Sequence, residues 1–101
     1  MKVKVGQWAR VCDVIFNVKE PIIDVDFKER NIKVADTPQE LVQVGDLIDC
    51  VWNEEGIIPV YEITEDTVDT PYNMVFKDGI TEIWTRTSEN TYTRQWCKDE
   101  L

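Results

Sequence analysis

Glu54-Glu55 and Glu65-Asp66 are the adjacent carboxylate pairs of the central part of the chain. Paired carboxylates can do general acid–base work when their surroundings push their proton affinities apart. Both pairs stand beside turn residues, where charge is ordinarily solvated, so no active site is assigned to them. Asp66 and Asp69 could hold a divalent cation, but the ligand spacing of an EF-hand loop is absent. The chain contains no His. That removes the commonest general base and every Ser-His or Cys-His nucleophile pair. Cys12, Cys50 and Cys97 lie far apart with no C-x-x-C spacing. A zinc site would have to recruit carboxylates, so none is expected, and small buried residues are the ordinary reading of the three. The reading is of a protein that is not an enzyme and that carries no cofactor or metal.

A second group of residues could bind rather than react. By strand alternation Trp84 and Arg86 share one face, and Tyr92, Arg94 and Trp96 share a face of the next strand. A three-residue loop at Ser88-Glu89-Asn90 would oppose Trp84 to Arg94 and Arg86 to Tyr92. Aromatic rings beside guanidinium groups can stack a base and hold a phosphate, so these five residues form a candidate nucleotide site. Such a site could also form between the subunits of a homo-oligomer. The competing reading is a core-facing aromatic stripe with Arg stems packed over it and their heads in water.

The third group is electrostatic. From Asp36 to Phe76 there are ten carboxylates and no Lys or Arg, while the net charge of the whole chain is −9. The flanks are therefore close to neutral. Such a surface repels nucleic acid and attracts basic proteins. Glu54, Glu55, Glu65, Asp66 and Asp69 are the candidate contacts, set where a partner's phosphate ligands would otherwise lie. The competing reading is solubility, since net charge keeps a small domain monomeric.

The elements that must position these groups read as β-structure. A chain of 101 residues with 43% hydrophobic content makes one domain, residues 1–101, with a core. Trp8 to Phe16 alternates and predicts one strand, with Trp8, Arg10, Cys12, Val14 and Phe16 on one face and Ala9, Val11, Asp13 and Ile15 on the other. Ile23, Val25 and Phe27 predict a half-buried strand, paired through Lys28–Asn31 with Ile32-Lys33-Val34. Thr37-Pro38-Gln39-Glu40 is a capping box that predicts a short helix near 37–43, ended by Gly45. Leu47 to Trp52 and Ile57 to Thr64 follow as strands around Asn53–Gly56, with Pro59 marking an edge strand or a bulge. Glu65 to Pro71 reads as an acidic loop. Asp78-Gly79 between apolar runs predicts a tight hairpin joining Asn73–Phe76 to Ile80–Arg86, with Gly79 at positive φ. The fold class is all-β: a small antiparallel barrel or sandwich of seven to eight short strands with one short helix.

No apolar run reaches membrane-spanning length, and Met1-Lys2-Val3-Lys4 does not open a signal peptide. Lys98-Asp99-Glu100-Leu101 spells a luminal retention signal, which needs entry into the secretory pathway to act. Three unpaired thiols fit a reducing cytoplasm.

The run Val34-Ala35-Asp36-Thr37-Pro38-Gln39-Glu40-Leu41-Val42-Gln43-Val44-Gly45-Asp46-Leu47 resembles small uncharacterised accessory proteins of phages and prophages of Gram-positive bacteria. The tail Ile80–Thr85 and Tyr92–Trp96 looks like their closing hairpin. The resemblance covers about half the chain, and its motifs are structural. It implies an accessory gene of a mobile element acting in the cytoplasm of a bacterial host. The expected activity is antagonism of a host defence component, either through the acidic surface or by sequestering a nucleotide signal. A virion or structural accessory role is the remaining expectation.

Overall fold

The computed structural model describes residues 3–20, 32–51 and 56–98. The chain divides into two compact units, residues 1–41 and 42–101. The fold is all-β, in three antiparallel sheets, none of which closes into a barrel among the described residues.

The first unit holds β1 (Trp8–Val11), β2 (Val14–Asn17) and β3 (Ile32–Ala35), in the order β2-β1-β3. The single strand expected over Trp8–Phe16 is instead a hairpin, because the chain turns at Cys12-Asp13 and pairs Val11 with Val14. Cys12 takes φ +54°, the left-handed conformation that a two-residue hairpin turn needs at its first central position. A residue other than Gly, Asn or Asp is uncommon there, so the alternating apolar pattern hid the turn. The turn also resets the faces. Ala9, Val11, Val14 and Phe16 now line one side, and Arg10 and Ile15 the other. Val3, Ala9 and Val18 form the buried cluster, with Ile32 and Val34 packed on it. The predicted hairpin arm Ile23–Phe27 lies outside the described residues.

The helix expected near 37–43 is a single 3₁₀ turn, Pro38–Leu41, lying against β1 and β3. Its extension is blocked locally. The Asp46 carboxylate accepts the Gln43 N–H at 2.8 Å, so that donor is not available to a helical carbonyl. Arg10, 2% exposed, donates from Nη1 to the Leu41 carbonyl at 3.0 Å and from Nε to the Cys12 carbonyl at 2.7 Å. One buried guanidinium thereby ties the hairpin turn to the end of the 3₁₀ turn.

The second unit carries two sheets. β4 (Leu47–Cys50), β5 (Ile58–Pro59), β9 (Ile80–Ser88) and β10 (Thr91–Cys97) form a sheet in the order β10-β9-β4-β5. Pro59, which lacks a donor, sits on the edge strand as expected. Ile58, Ile48 and Ile83 pair in one buried row across three strands. A bulge at Thr81 brings Ile80 opposite Cys50 and keeps both on that same buried face. Gly45 takes φ +97° between the 3₁₀ turn and β4. Its N–H reaches the Val60 carbonyl at 3.1 Å, and Val60 N–H returns to the Asp46 carbonyl at 2.9 Å.

The other sheet is β6 (Glu62–Ile63), β7 (Thr67–Asp69) and β8 (Met74–Phe76), in the order β6-β7-β8. The strand expected over Ile57–Thr64 breaks at Val60-Tyr61, and its two halves join different sheets. The acidic loop expected over Glu65–Pro71 contains β7. The Asp-Gly hairpin is not formed: Lys77–Gly79 is a second 3₁₀ turn, β8 pairs with β7, and β9 pairs with β4 and β10. Gly79 does not adopt the left-handed conformation, which is why no tight hairpin turn closes there. With these splits the described strands number ten rather than the expected seven to eight.

Candidate functional site

Charge follows the division into units. Residues 1–41 hold seven carboxylates and seven basic side chains; residues 42–101 hold thirteen carboxylates and four basic side chains. The whole net charge of −9 therefore belongs to the second unit. Asp36 and Glu40, part of the acidic stretch in sequence, fall in the neutral first unit, where Asp36 accepts a bond from Gln7 Nε2 at 3.2 Å.

The acidic candidates are positioned by the β6–β7–β8 sheet. Thr64 N–H donates to the Thr67 carbonyl at 2.9 Å, and Thr67 N–H returns to the Thr64 hydroxyl at 3.1 Å. This closes a two-residue hairpin turn with Glu65 and Asp66 at its tip, both exposed. Asp69 is half-buried on β7, between Glu62 and Met74 in a cross-strand row. Glu54 and Glu55 lie outside the described residues. Two further carboxylates of the stretch have structural work. Asp46 is buried and accepts from Gln43 N–H, and Asp49 Oδ1 accepts from Cys50 N–H at 2.8 Å. Among the described residues no cluster of three or more metal-ligating side chains occurs, and Asp66 and Asp69 do not assemble one.

The aromatic–Arg candidates occupy the four-stranded sheet. β10 pairs Tyr92 with Arg86 and Arg94 with Trp84, the opposition anticipated from the loop length. The route differs: the loop is two residues, Glu89-Asn90, and a bulge at Thr87 restores the register. A second bulge at Gln95 sets Trp96 opposite Ile83 instead of leaving it in line with Tyr92 and Arg94. Trp96 thus joins the Ile58–Ile48–Ile83 row, while Trp84 continues the row of Pro59, Leu47 and Arg94. Both guanidinium groups have protein partners. Arg94 Nη1 lies 3.1 Å from Glu82 Oε1, and Arg86 donates to the Ser88 and Glu89 carbonyls at 3.1 and 2.6 Å. Trp84 is half-buried, and its Nε1 is buried with no hydrogen-bond partner.

A groove not anticipated from the sequence opens between β8 and the end of β4. It has a volume of about 460 Å³, and Cys50, Val51, Met74, Val75, Phe76 and Asp78 are among its walls. Met74 and Phe76 are 60% and 62% exposed, and Val51 is exposed beside them. The Thr70 hydroxyl donates to the Asn73 carbonyl at 2.8 Å and accepts from Asn73 N–H at 3.1 Å, closing the turn that leads into β8. Burial, and secondly the neighbouring Asp49 carboxylate, push the Cys50 thiol above its ordinary range. Cys12 is exposed and Cys97 half-buried, and all three thiols are free. The sequence signal for the groove was present as an apolar run at Asn73–Phe76. It was obscured by the Asp-Gly pair, which pointed to a hairpin on the wrong side.

Among the described residues no helix is long and apolar enough to cross a membrane. No family model, curated protein or solved structure matches the chain.

Proposed function

We propose that the chain is a non-enzymatic binding protein of phage or prophage origin that antagonises a host defence component. It does so by presenting the acidic surface of its second unit to a basic, nucleic-acid-binding host protein. The observation that carries this reading is the partition of charge: residues 42–101 hold the entire net −9 while residues 1–41 are balanced. Solubility alone does not require that segregation. A field of one sign on one unit steers a basic partner and repels nucleic acid itself. The exposed hairpin tip at Glu65-Asp66 supports the same reading, since solvated carboxylates are the ones a partner's Lys and Arg can meet. The resemblance of Val34–Leu47 to mobile-element proteins supports the origin and a bacterial cytoplasmic setting.

The second reading is nucleotide sequestration by Trp84, Arg86, Tyr92, Arg94 and Trp96. The Trp84–Arg94 and Arg86–Tyr92 pairs favour it. Against it, both guanidinium groups already have partners, and Trp96 stands in a different row.

The test is capture from a bacterial lysate with three forms of the chain. These are the unaltered protein, the five-site variant Glu54→Gln, Glu55→Gln, Glu65→Gln, Asp66→Asn and Asp69→Asn, and the double variant Arg86→Ala with Arg94→Ala. Nucleic-acid-binding proteins retained by the first and third forms, and lost by the five-site variant, are the expected result. Retention by the five-site variant with loss by the double-Arg variant would overturn the acidic-surface reading in favour of the nucleotide site.

A further inference from the structure

We propose that the partner docks on the second unit by strand addition: an extended segment with alternating basic and apolar residues pairs with the open edge of β8, in the groove facing Cys50 and Val51. The inference rests on the acidic-surface reading and names how that surface is used.

The backbone supplies the first argument. Thr70 N–H bonds to the Asn73 carbonyl and Lys77 N–H to the Asp66 carbonyl, each at 2.9 Å. Hydrogen-bonded pairs alternate along an antiparallel ladder, so Val68 and Val75 form the bonded pair between these two. Asp69–Met74 and Thr67–Phe76 are then the non-bonded pairs. The N–H and C=O of Met74, and the N–H of Phe76, point away from β7. Among the described residues no strand pairs with that edge. An unpaired edge flanked by exposed apolar side chains is what strand addition uses.

The side-chain rows define the occupant. The row Glu62–Asp69–Met74 presents carboxylates and then an apolar side chain at the edge. A residue docked opposite Met74 continues that row. A Lys or Arg there packs its stem on Met74 and carries its charge toward Asp69. The next row, Ile63–Val68–Val75, is apolar and leads into the groove wall. A residue docked opposite Val75 is therefore apolar. Asp78 in the groove wall and Glu65-Asp66 at the β6–β7 tip add negative charge around this edge, with Lys77 the one basic side chain of β8 and the turn that follows it. A second copy of the chain is a poor occupant, because edge-to-edge pairing would bring two units of charge −9 together.

The probe is an alternating Lys-Val peptide of about eight residues, an ordinary strand length. Paired in this register, the amides of its lysines face Met74 and those of its valines face away. Binding is expected to weaken as salt is raised. Methylating the lysine backbone nitrogens keeps every charge and side chain but removes the bonding donors, and should weaken binding about tenfold or more. On binding the unmethylated peptide, the Met74 amide should gain protection from hydrogen exchange. A Glu-Val peptide of the same length should not bind. Binding that survives methylation, with the Met74 amide unprotected, overturns strand addition while leaving the acidic-surface reading intact. If the Lys-Val peptide does not bind, strand addition fails. Failure of the unaltered chain to retain basic proteins in the lysate capture would remove the acidic-surface reading as well.

Discussion

Asp69 and Met74 stand directly opposite each other across β7 and β8, so a half-buried carboxylate and a 60% exposed apolar side chain share one face at an open sheet edge. An exposed apolar edge costs a protein solubility and invites association, and natural sheets usually blunt it with charge. Here the charge sits one strand inward and the edge itself is apolar.

That arrangement predicts a separation of stability from binding. Met74→Ser with Phe76→Ser removes exposed side chains and should change unfolding free energy by no more than about 0.5 kcal/mol per site, as surface substitutions do. Urea unfolding measures it. Binding of the alternating Lys-Val peptide by the same variant should fall. A destabilisation of several kcal/mol would mean that Met74 and Phe76 belong to the core.

Arg10 predicts the opposite balance. Its guanidinium is buried and donates to the Cys12 and Leu41 carbonyls. Arg10→Met keeps the apolar stem and leaves the buried Leu41 carbonyl and the part-buried Cys12 carbonyl without their charged donor, at a cost of roughly 2–4 kcal/mol. The denaturant midpoint should drop accordingly, with peptide binding by the folded fraction unchanged. An unaltered midpoint would show that water satisfies those carbonyls.

Gly45 and Gly79, two of the three glycines of the second unit, should differ. Gly45 holds φ +97°, so Gly45→Ala is strained at about 1–2 kcal/mol, although nothing lies within 4 Å of the added Cβ. Gly79 lacks a left-handed φ, and an added Cβ would meet Val75 Cγ1 at an ordinary 3.8 Å. Gly79→Ala should be close to neutral. Thermal unfolding of the two variants side by side checks the order. A reversed order would restore the Asp-Gly hairpin turn.

Burial and the Asp49 carboxylate raise the Cys50 thiol's proton affinity. Below the ordinary thiol range the folded and unfolded forms are both protonated, and Cys50 has no effect on the pH dependence. As pH rises beyond that range the unfolded form ionises first, so stability contributed by the neutral buried thiol is lost progressively through the raised folded value. Cys50→Ala should flatten that alkaline loss. In the native protein at about pH 8.5, near the ordinary thiol value, a small alkylating reagent should modify exposed Cys12 well before Cys50. Mass mapping of partially labelled protein gives the order, and equal labelling would show that Cys50 is open to solvent.

The all-β class was legible because Val, Ile and aromatic residues alternate through most of the chain. The Leu47–Cys50 strand followed from that period, and the edge position of Pro59 from its missing donor. The Trp84–Arg94 and Arg86–Tyr92 pairs were expected from a three-residue loop, and they form instead through a two-residue loop and the bulge at Thr87, which no residue pattern marks. Errors arose where backbone conformation departed from residue preference. Cys12 turns left-handed where Gly or Asn is usual, and Gly79 does not where it is usual. Each departure moved a hairpin: one into Trp8–Asn17, the other away from Phe76–Ile80. The open edge of β8 was illegible for the second reason. Whether a short apolar strand has one neighbour or two depends on the 3₁₀ turn at Lys77–Gly79, and the Asp-Gly pair signals a different turn. Buried Arg10 was illegible because its acceptors, the Cys12 and Leu41 carbonyls, are backbone atoms that no residue pattern encodes.

The proposed mode of action is occupation, by the acidic unit, of a basic surface that would otherwise hold nucleic acid. It is tested most directly by titrating the chain into a preformed complex of a captured basic host protein with a labelled DNA or RNA duplex, followed by fluorescence anisotropy at two salt concentrations. Displacement of the nucleic acid is expected, weakening as salt is raised and lost with the five-site Glu54, Glu55, Glu65, Asp66 and Asp69 variant. A ternary complex in which chain, host protein and nucleic acid remain together, or displacement undiminished in the five-site variant, would contradict it.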